Sequence, residues 1–284
     1  MILRCLPRGP FAALVAAVAV LVAVLGLRPA GASPGWAAPG TATVYPSMML
    51  YTAGAQCTAN FVYTDASGAV YIGQAAHCSS QGASTDTNGC TTTSLPLGTA
   101  VEDVSGRVVG TLAYNSWLAM QSAHETDPNA CAANDLALVK VDPALVAETS
   151  PTMPGLGGPT GVSGGAAGGD QVYAVGNSSL LLGAGSFVAQ TGVVEQPTDG
   201  GWAYYVAMAR PGVPGDSGSG YLDATGAALG QLSTISVGTQ GVGNTIGNLG
   251  REIAYAAGHG VSGLTVVDGQ TPFRGAAGLV TILG

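Results

Sequence analysis

The residues of this chain best suited to chemistry begin with Ser217, set in GVPGDSGSG at 212–220. A serine hydroxyl is a weak nucleophile. It needs a base to take its proton and donors to hold the oxyanion that forms when it attacks a carbonyl. Gly215 and Gly218 flank it and allow a tight turn that aims backbone N–H groups at one point. Upstream, AAHC at 75–78 offers His77 as the base, and NDLALVK at 134–140 offers Asp135 to orient that base. Singly, these residues also fit a turn serine, a half-buried histidine and a strand-capping aspartate. Together they supply a nucleophile, a base and an orienting carboxylate.

AAHC, NDLALVK and GDSGS, in the order His, Asp, Ser, resemble the chymotrypsin/trypsin family of serine proteases, bacterial secreted type, over roughly residues 43–260. Subtilisins run Asp, His, Ser, and α/β-hydrolases run Ser, acid, His. The resemblance implies an all-β fold of two antiparallel six-stranded β-barrels with a C-terminal helix and the active site between the barrels. It casts Ser217 as nucleophile, His77 as general base and then acid, and Asp135 as the group that fixes the imidazole tautomer. The backbone N–H groups of Gly215 and Ser217 would form the oxyanion hole. Asp216 would lie buried behind that hole and require a cation: the mature N-terminus, Arg107, Arg210 or Arg251.

Two departures from the family pattern bear on activity and specificity. Ser219 stands where many members have glycine, which bacterial relatives tolerate. Pro211, six residues before Ser217, stands where trypsin-like members carry an aspartate, which argues against Lys or Arg specificity. The stretch 233–238 is small and neutral and would wall a pocket for a small or medium apolar side chain. The function implied is a serine endopeptidase acting on protein or peptide through an acyl-enzyme. A catalytically silent binding relative is the rival from another class. An α/β-hydrolase esterase is disfavoured, because the site reads Gly-Asp-Ser-Gly-Ser and alternating helices are absent.

Composition bounds the surroundings of such a site. The 284 residues are 47% hydrophobic and 8% charged, with 45 glycines. That fits a glycine-rich secreted β protein and not a disordered chain. Arg4 and Arg8, an apolar run at 11–27 and Ala-Gly-Ala at 30–32 read as a secretory signal over 1–32. The run is at the short limit for a spanning helix, and the A-x-A site favours cleavage over a retained anchor. Beyond it, five cations face 16 acidic residues, which speaks against nucleic-acid binding. The expectation is therefore an extracellular monomer with no stable membrane association after cleavage and no nucleic-acid partner.

Cys57, Cys78, Cys90 and Cys131 follow the signal, and four cysteines allow three pairings. The family resemblance pairs Cys57 with Cys78 and leaves Cys90 with Cys131. No cofactor is expected. His124, Glu125 and Asp127, in an irregular polar stretch at 121–133, read as a solvated loop rather than a metal site.

The elements that must position the triad follow from short apolar runs and turn chemistry. Strands are expected at 43–52, 58–64, 69–74, 97–103, 107–114 and 136–141, with turns at 65–68 and 104–106. Residues 79–94 read as an exposed loop. A second group of strands is expected at 171–176, 180–195, 202–209, 219–222 and 227–235. Residues 249–257 read as a helix ended by Gly258-His-Gly260. The domain plan is a first barrel over 33–154 bearing His77 and Asp135, and a glycine-rich crossover at 155–170. A second barrel with the helix follows over 171–284, bearing Ser217. A strand-like run at 264–267 has no counterpart in the family pattern.

Overall fold

The computed structural model describes residues 35–278, apart from 84, 181–187, 239 and 240. The expected signal at 1–32, and positions 181–187 of the strand expected at 180–195, lie outside the described residues. The first group of elements is β1 (Met49–Thr52), β2 (Ala55–Thr58), β3 (Val62–Thr64), β4 (Val70–Ala75), β5 (Ala100–Glu102) and β6 (Val108–Asn115). Then come helices α1 (Ser116–Ala123) and α2 (Pro128–Ala133), and β7 (Leu136–Val141). The second group is β8 (Gln171–Gly176), β9 (Val188–Thr198), β10 (Ala203–Met208), β11 (Gly220–Asp223), β12 (Ala228–Gly238) and β13 (Gly241–Asn248). It is followed by α3 (Leu249–Gly258) and β14 (Thr265–Val266).

The architecture is all-β and chymotrypsin-like, with a C-terminal helix. The second group closes into a six-stranded barrel in the order β10-β13-β12-β11-β8-β9. The first forms an eight-stranded antiparallel sheet, β14-β3-β4-β7-β6-β5-β1-β2, a half-barrel where a closed six-stranded barrel is expected. Two features account for the difference. The expected strand at 43–52 is a ladder only from Met49, and that at 58–64 splits into β2 and β3. In addition, β14 adds itself to the open edge of β3, with Thr265 opposite Thr64 and Val266 opposite Tyr63. The segment after α3 therefore returns to the first sheet.

The stretch expected to be irregular at 121–133 holds the end of α1 and all of α2, with only 124–127 between them irregular. Apolar periodicity is weak in both, and caps do the work instead. The Asn115 side chain accepts from the N–H groups of Trp117 and Leu118 to start α1. Asp127 accepts from Asn129 N–H, with Pro128 in the first turn of α2. Strand β13, unread in the sequence because its Gly/Asn-rich run lacks alternation, pairs with both β10 and β12 and closes the barrel.

The core between the two sheets holds Phe61, Tyr63, Leu136, Leu138, Leu222 and Leu249, all fully buried. β4 is buried along its whole length, and β7 at every position but Lys140. These two central strands pair in register, Gly73 opposite Leu138 and Ala75 opposite Leu136. Their ends carry His77 and Asp135.

Candidate active site

His77 sits on a one-turn 3-10 helix, Ala76–Ser79, that follows β4 directly. Asp135 immediately precedes β7. Because the two strands pair, the turn and the aspartate meet. His77 N–H donates to Asp135 Oδ1 at 2.9 Å, and His77 Nδ1 lies 2.7 Å from Asp135 Oδ2. Asp135 is 2% exposed, and Ser233 Oγ also donates to its Oδ2 at 2.6 Å. Partial burial pulls the His77 pKa down. The charge of Asp135 and its hydrogen bond outweigh that pull, and the net shift is upward.

Ser217 lies on the loop entering β11, and its carbonyl accepts from Thr58 N–H at 2.8 Å. Thr58 Oγ1 donates to the carbonyl of Gly215 at 2.8 Å, and Gly218 N–H donates to that of Leu232 at 2.7 Å. Gly215 and Gly218 have φ of +98° and +86°, which side chains rarely adopt. A Cβ on Gly218 would also stand 2.7 Å from the Thr58 carbonyl. Among the described residues, the N–H groups of Gly215 and Ser217 have no backbone or side-chain acceptor, while Asp216 N–H between them bonds to Val213 at 2.9 Å. Two free amides thus flank one turn, as an oxyanion site requires.

Ser217, His77, Asp135 and Gly215 line one cleft of about 550 Å³, with Leu232 and Ile235 on its wall. The Ser217 hydroxyl shares this cleft with the imidazole without hydrogen-bonding to it, a spacing common before substrate enters. Of the expected pocket wall at 233–238, Ser233, Thr234 and Ile235 line the cleft, whereas Pro211 does not.

Asp216 is fully buried, and Arg210 is its cation, with Nη2 at 3.6 Å from Oδ2. Of the candidates left open by the sequence, this selects Arg210. Burial pushes the Asp216 pKa up, against the Val213 N–H and the Arg210 charge, which hold it down. Arg107 instead pairs with Asp103 and Glu148, and Arg251 lies over the Trp202 ring.

Both expected disulfides are present, Cys57–Cys78 and Cys90–Cys131. Cys57, His77 and Cys78 cluster within ligand distance of one another, but the disulfide leaves no thiolate to coordinate a metal. In the polar stretch, Glu125 accepts from the N–H groups of Thr126 and Asp127 and from Tyr255 Oη. Asp127 accepts from Trp202 Nε1, so both acids tether α2 to the second barrel and to α3. Sequence reasoning missed Ser233 as a partner of Asp135, and missed Gln231 and Glu252 entirely. The isolated polar positions of β12 and α3 were the only signal.

No family model matches the chain, and no curated protein does. Among solved structures the chain is similar to Thermobifida fusca protease A, at 17% identity and TM-score 0.49, covering 80% of this chain and 99% of that one. It is also similar to a glutamic acid-specific serine protease, at 21% identity and TM-score 0.46, covering 79% of this chain and 100% of that one. Cellulomonas bogoriensis chymotrypsin matches at 16% identity and TM-score 0.46, covering 79% of this chain and 98% of that one.

Proposed function

We propose that the protein is a secreted serine endopeptidase with Ser217 as nucleophile, His77 as general base and acid, and Asp135 as the group orienting His77. One observation carries the reading: a serine, a carboxylate-bound histidine and two unpaired amides converge on one cleft. Ser217 Oγ attacks the scissile carbonyl carbon while His77 Nε2 takes its proton. The carbonyl oxygen becomes an oxyanion held by the N–H groups of Gly215 and Ser217. The C–N bond breaks as His77 returns the proton to the leaving amine, leaving an acyl ester on Ser217. Water, deprotonated by His77, then cleaves that ester. One oxyanion donor contributes about 3–4 kcal/mol to such a transition state.

Leu232 and Ile235 on the cleft wall favour a small to medium apolar side chain beside the scissile bond. Two disulfides and the A-x-A site at 30–32 support export and cleavage of the signal. The excess of acidic residues opposes a nucleic-acid partner, and a monomer acting on peptide substrates is the working state.

Ser217→Ala tests the assignment. It should lose peptide hydrolysis and fluorophosphonate labelling, keeping only the roughly 10³–10⁴-fold over water that binding and the oxyanion donors supply. Its stability should change by less than about 0.5 kcal/mol. A variant that retains near wild-type rate refutes Ser217 as nucleophile. A wild-type protein that neither labels nor cleaves any peptide of a mixed library is a silent binding relative.

A further inference from the structure

Glu252 lies on α3 against the main chain of Asp135, whose carboxylate holds His77, and none of its surface is exposed. Its Oε1 accepts from Asp135 N–H at 3.0 Å and from Gln231 Nε2 at 3.3 Å. Gln231 Nε2 also donates to the Asp135 carbonyl at 2.6 Å. Glu252 and Gln231 therefore clamp both main-chain polar groups of the residue that orients His77. Gln231 is itself held by Asn60 Nδ2 at 3.2 Å, and Asn60 Oδ1 accepts from Tyr63 Oη at 2.8 Å. The Glu252 carboxyl packs directly over Gly247 of β13, where a Cβ would require it to shift.

No Arg, Lys or His among the described residues forms an ion pair with Glu252, and its Oε2 is buried without a partner. The titratable groups around it carry no compensating positive charge. The first sheet presents Asp135, with His77 beyond it, and the phenols Tyr63 and Tyr114, both pushed upward by burial and by Glu252. α1 contributes no ionisable side chain, and the β12 and β13 contacts are Gln231 and Gly247. On α3 itself, Arg251 is engaged with Trp202, and Tyr255 with Glu125. An unpaired carboxylate in such a place is far costlier than a neutral carboxylic acid.

We propose that Glu252 is a positioning residue for Asp135, holding the aspartate's main chain as an uncharged carboxylic acid, and that its ionisation closes the site on the alkaline side. The inference rests on the protease reading for its catalytic consequence. Burial lifts the Glu252 pKa to about 8; the Asp135 N–H bond holds it down, the charge of Asp135 raises it by less than that bond lowers it, and the Gln231 bond lowers it a little further. Above that pH a second negative charge appears near Asp135; it keeps its N–H donors but repels the Asp135 carboxylate, and that repulsion displaces the side chain that orients His77.

The linkage sign is definite. Unfolded Glu252 ionises near its ordinary value of 4.5 and the folded form near 8. Between these the native state holds the extra proton, so stability falls as pH rises through that window. Glu252→Gln keeps an oxygen for the clamp and cannot ionise. Glu252→Ala removes the clamp.

The test follows wild type, E252Q and E252A in peptide hydrolysis and thermal unfolding from pH 5 to 10. E252A should lose about tenfold or more in kcat with KM little changed, as misplacement of a catalytic pair does. E252Q should recover most of that loss and lack the wild-type downturn above about pH 8. Its thermal midpoint should fall less with pH than that of wild type. Identical alkaline limbs and identical thermal slopes in wild type and E252Q overturn the proposal, as does full kcat in E252A. If no form cleaves peptide, the protease reading fails separately. Glu252 is then decided by the thermal slopes and by the ¹⁵N-histidine titration of His77, which E252Q must shift if a charge at Glu252 is felt through Asp135. Should E252A fail to fold, the E252Q comparison stands alone.

Discussion

His77 binds its proton more tightly than an ordinary histidine because Asp135 Oδ2 lies 2.7 Å away. The acid limb of activity should therefore fall at a pH above the ordinary histidine value of about 6.5. Stability runs the other way. A raised folded-state pKa means that the pair's contribution is fully present below the unfolded value and is lost as pH rises through the folded value. Activity should thus rise over the window in which this part of the stability declines. Asp135→Asn should lower kcat by about 10⁴-fold and move the His77 titration down. ¹⁵N-histidine titration beside a pH–rate profile checks both, and an unmoved His77 titration in that variant would sink the pairing. At this scale the proposed triad could be picked out because each member sits in a short run with its own chemistry: AAHC, NDLALVK, GDSGS. Ser233 and Glu252 were not. Ser233 read only as pocket wall, and a glutamate in an amphipathic helix reads as solvent-facing. Only the meeting of α3, β12 and Asp135 makes them polar groups that must be satisfied in the core.

The elements that hold the proposed triad are tied by two cystines of different reach. Cys57–Cys78 joins β2 to the His77 turn across 21 residues, and Cys90–Cys131 joins a loop to α2 across 41. The chain-entropy model assigns about 3 kcal/mol to the first and about 4 kcal/mol to the second. Function should rank them in reverse. Cys78 is adjacent to His77, the proposed base, and β2 also steadies the Ser217 loop through Thr58. Replacing Cys57 and Cys78 by alanine should therefore lower kcat more than replacing Cys90 and Cys131, while lowering the thermal midpoint no more. Midpoints and kcat of the two double variants decide it, and equal losses of kcat would refute the ranking. Strands β4 and β7 were readable from apolar runs between Gly/Asp turns, whereas β2, which carries Cys57, falls mostly between the strands expected at 43–52 and 58–64. Helices α1 and α2 were missed because their caps, Asn115 and Asp127, look like any polar loop residue until the N–H groups they accept are seen. Strand β13 was missed because glycine and asparagine hide the alternation that marks a strand.

At the scale of the whole molecule, the segment after α3 is a strap across both sheets. Val261, Leu264 and Val266 are buried and pack with Phe61, Tyr63 and Tyr71 of the first sheet. Val267 N–H donates to the Val62 carbonyl at 2.9 Å, extending the β14 pairing. The strap then laces the crossover, with Gly269 N–H on the Pro159 carbonyl and Arg274 N–H on that of Leu156, each at 2.8 Å. Phe273 ends it edge-on against Tyr173 of the second barrel, ring centroids 5.5 Å apart. The run at 264–267 was visible in sequence as a strand, but its partner was not, since register between segments two hundred residues apart leaves no local mark. Burying three Val/Leu side chains contributes roughly 5 kcal/mol after allowing for residual burial in the unfolded chain. Domains are stable by about 5–15 kcal/mol, so that contribution is a large share of the total. Ending the chain after Gly260 should therefore lower the thermal midpoint by ten degrees or more, at about 2–4 °C per kcal/mol. It should also speed amide exchange in β3, whose edge it uncovers. Leu264→Ala in the full chain should cost about 2–5 kcal/mol through the cavity it leaves. A truncated protein that melts within two degrees of the full chain, with β3 amides equally protected, would mean that the two sheets hold together without the strap.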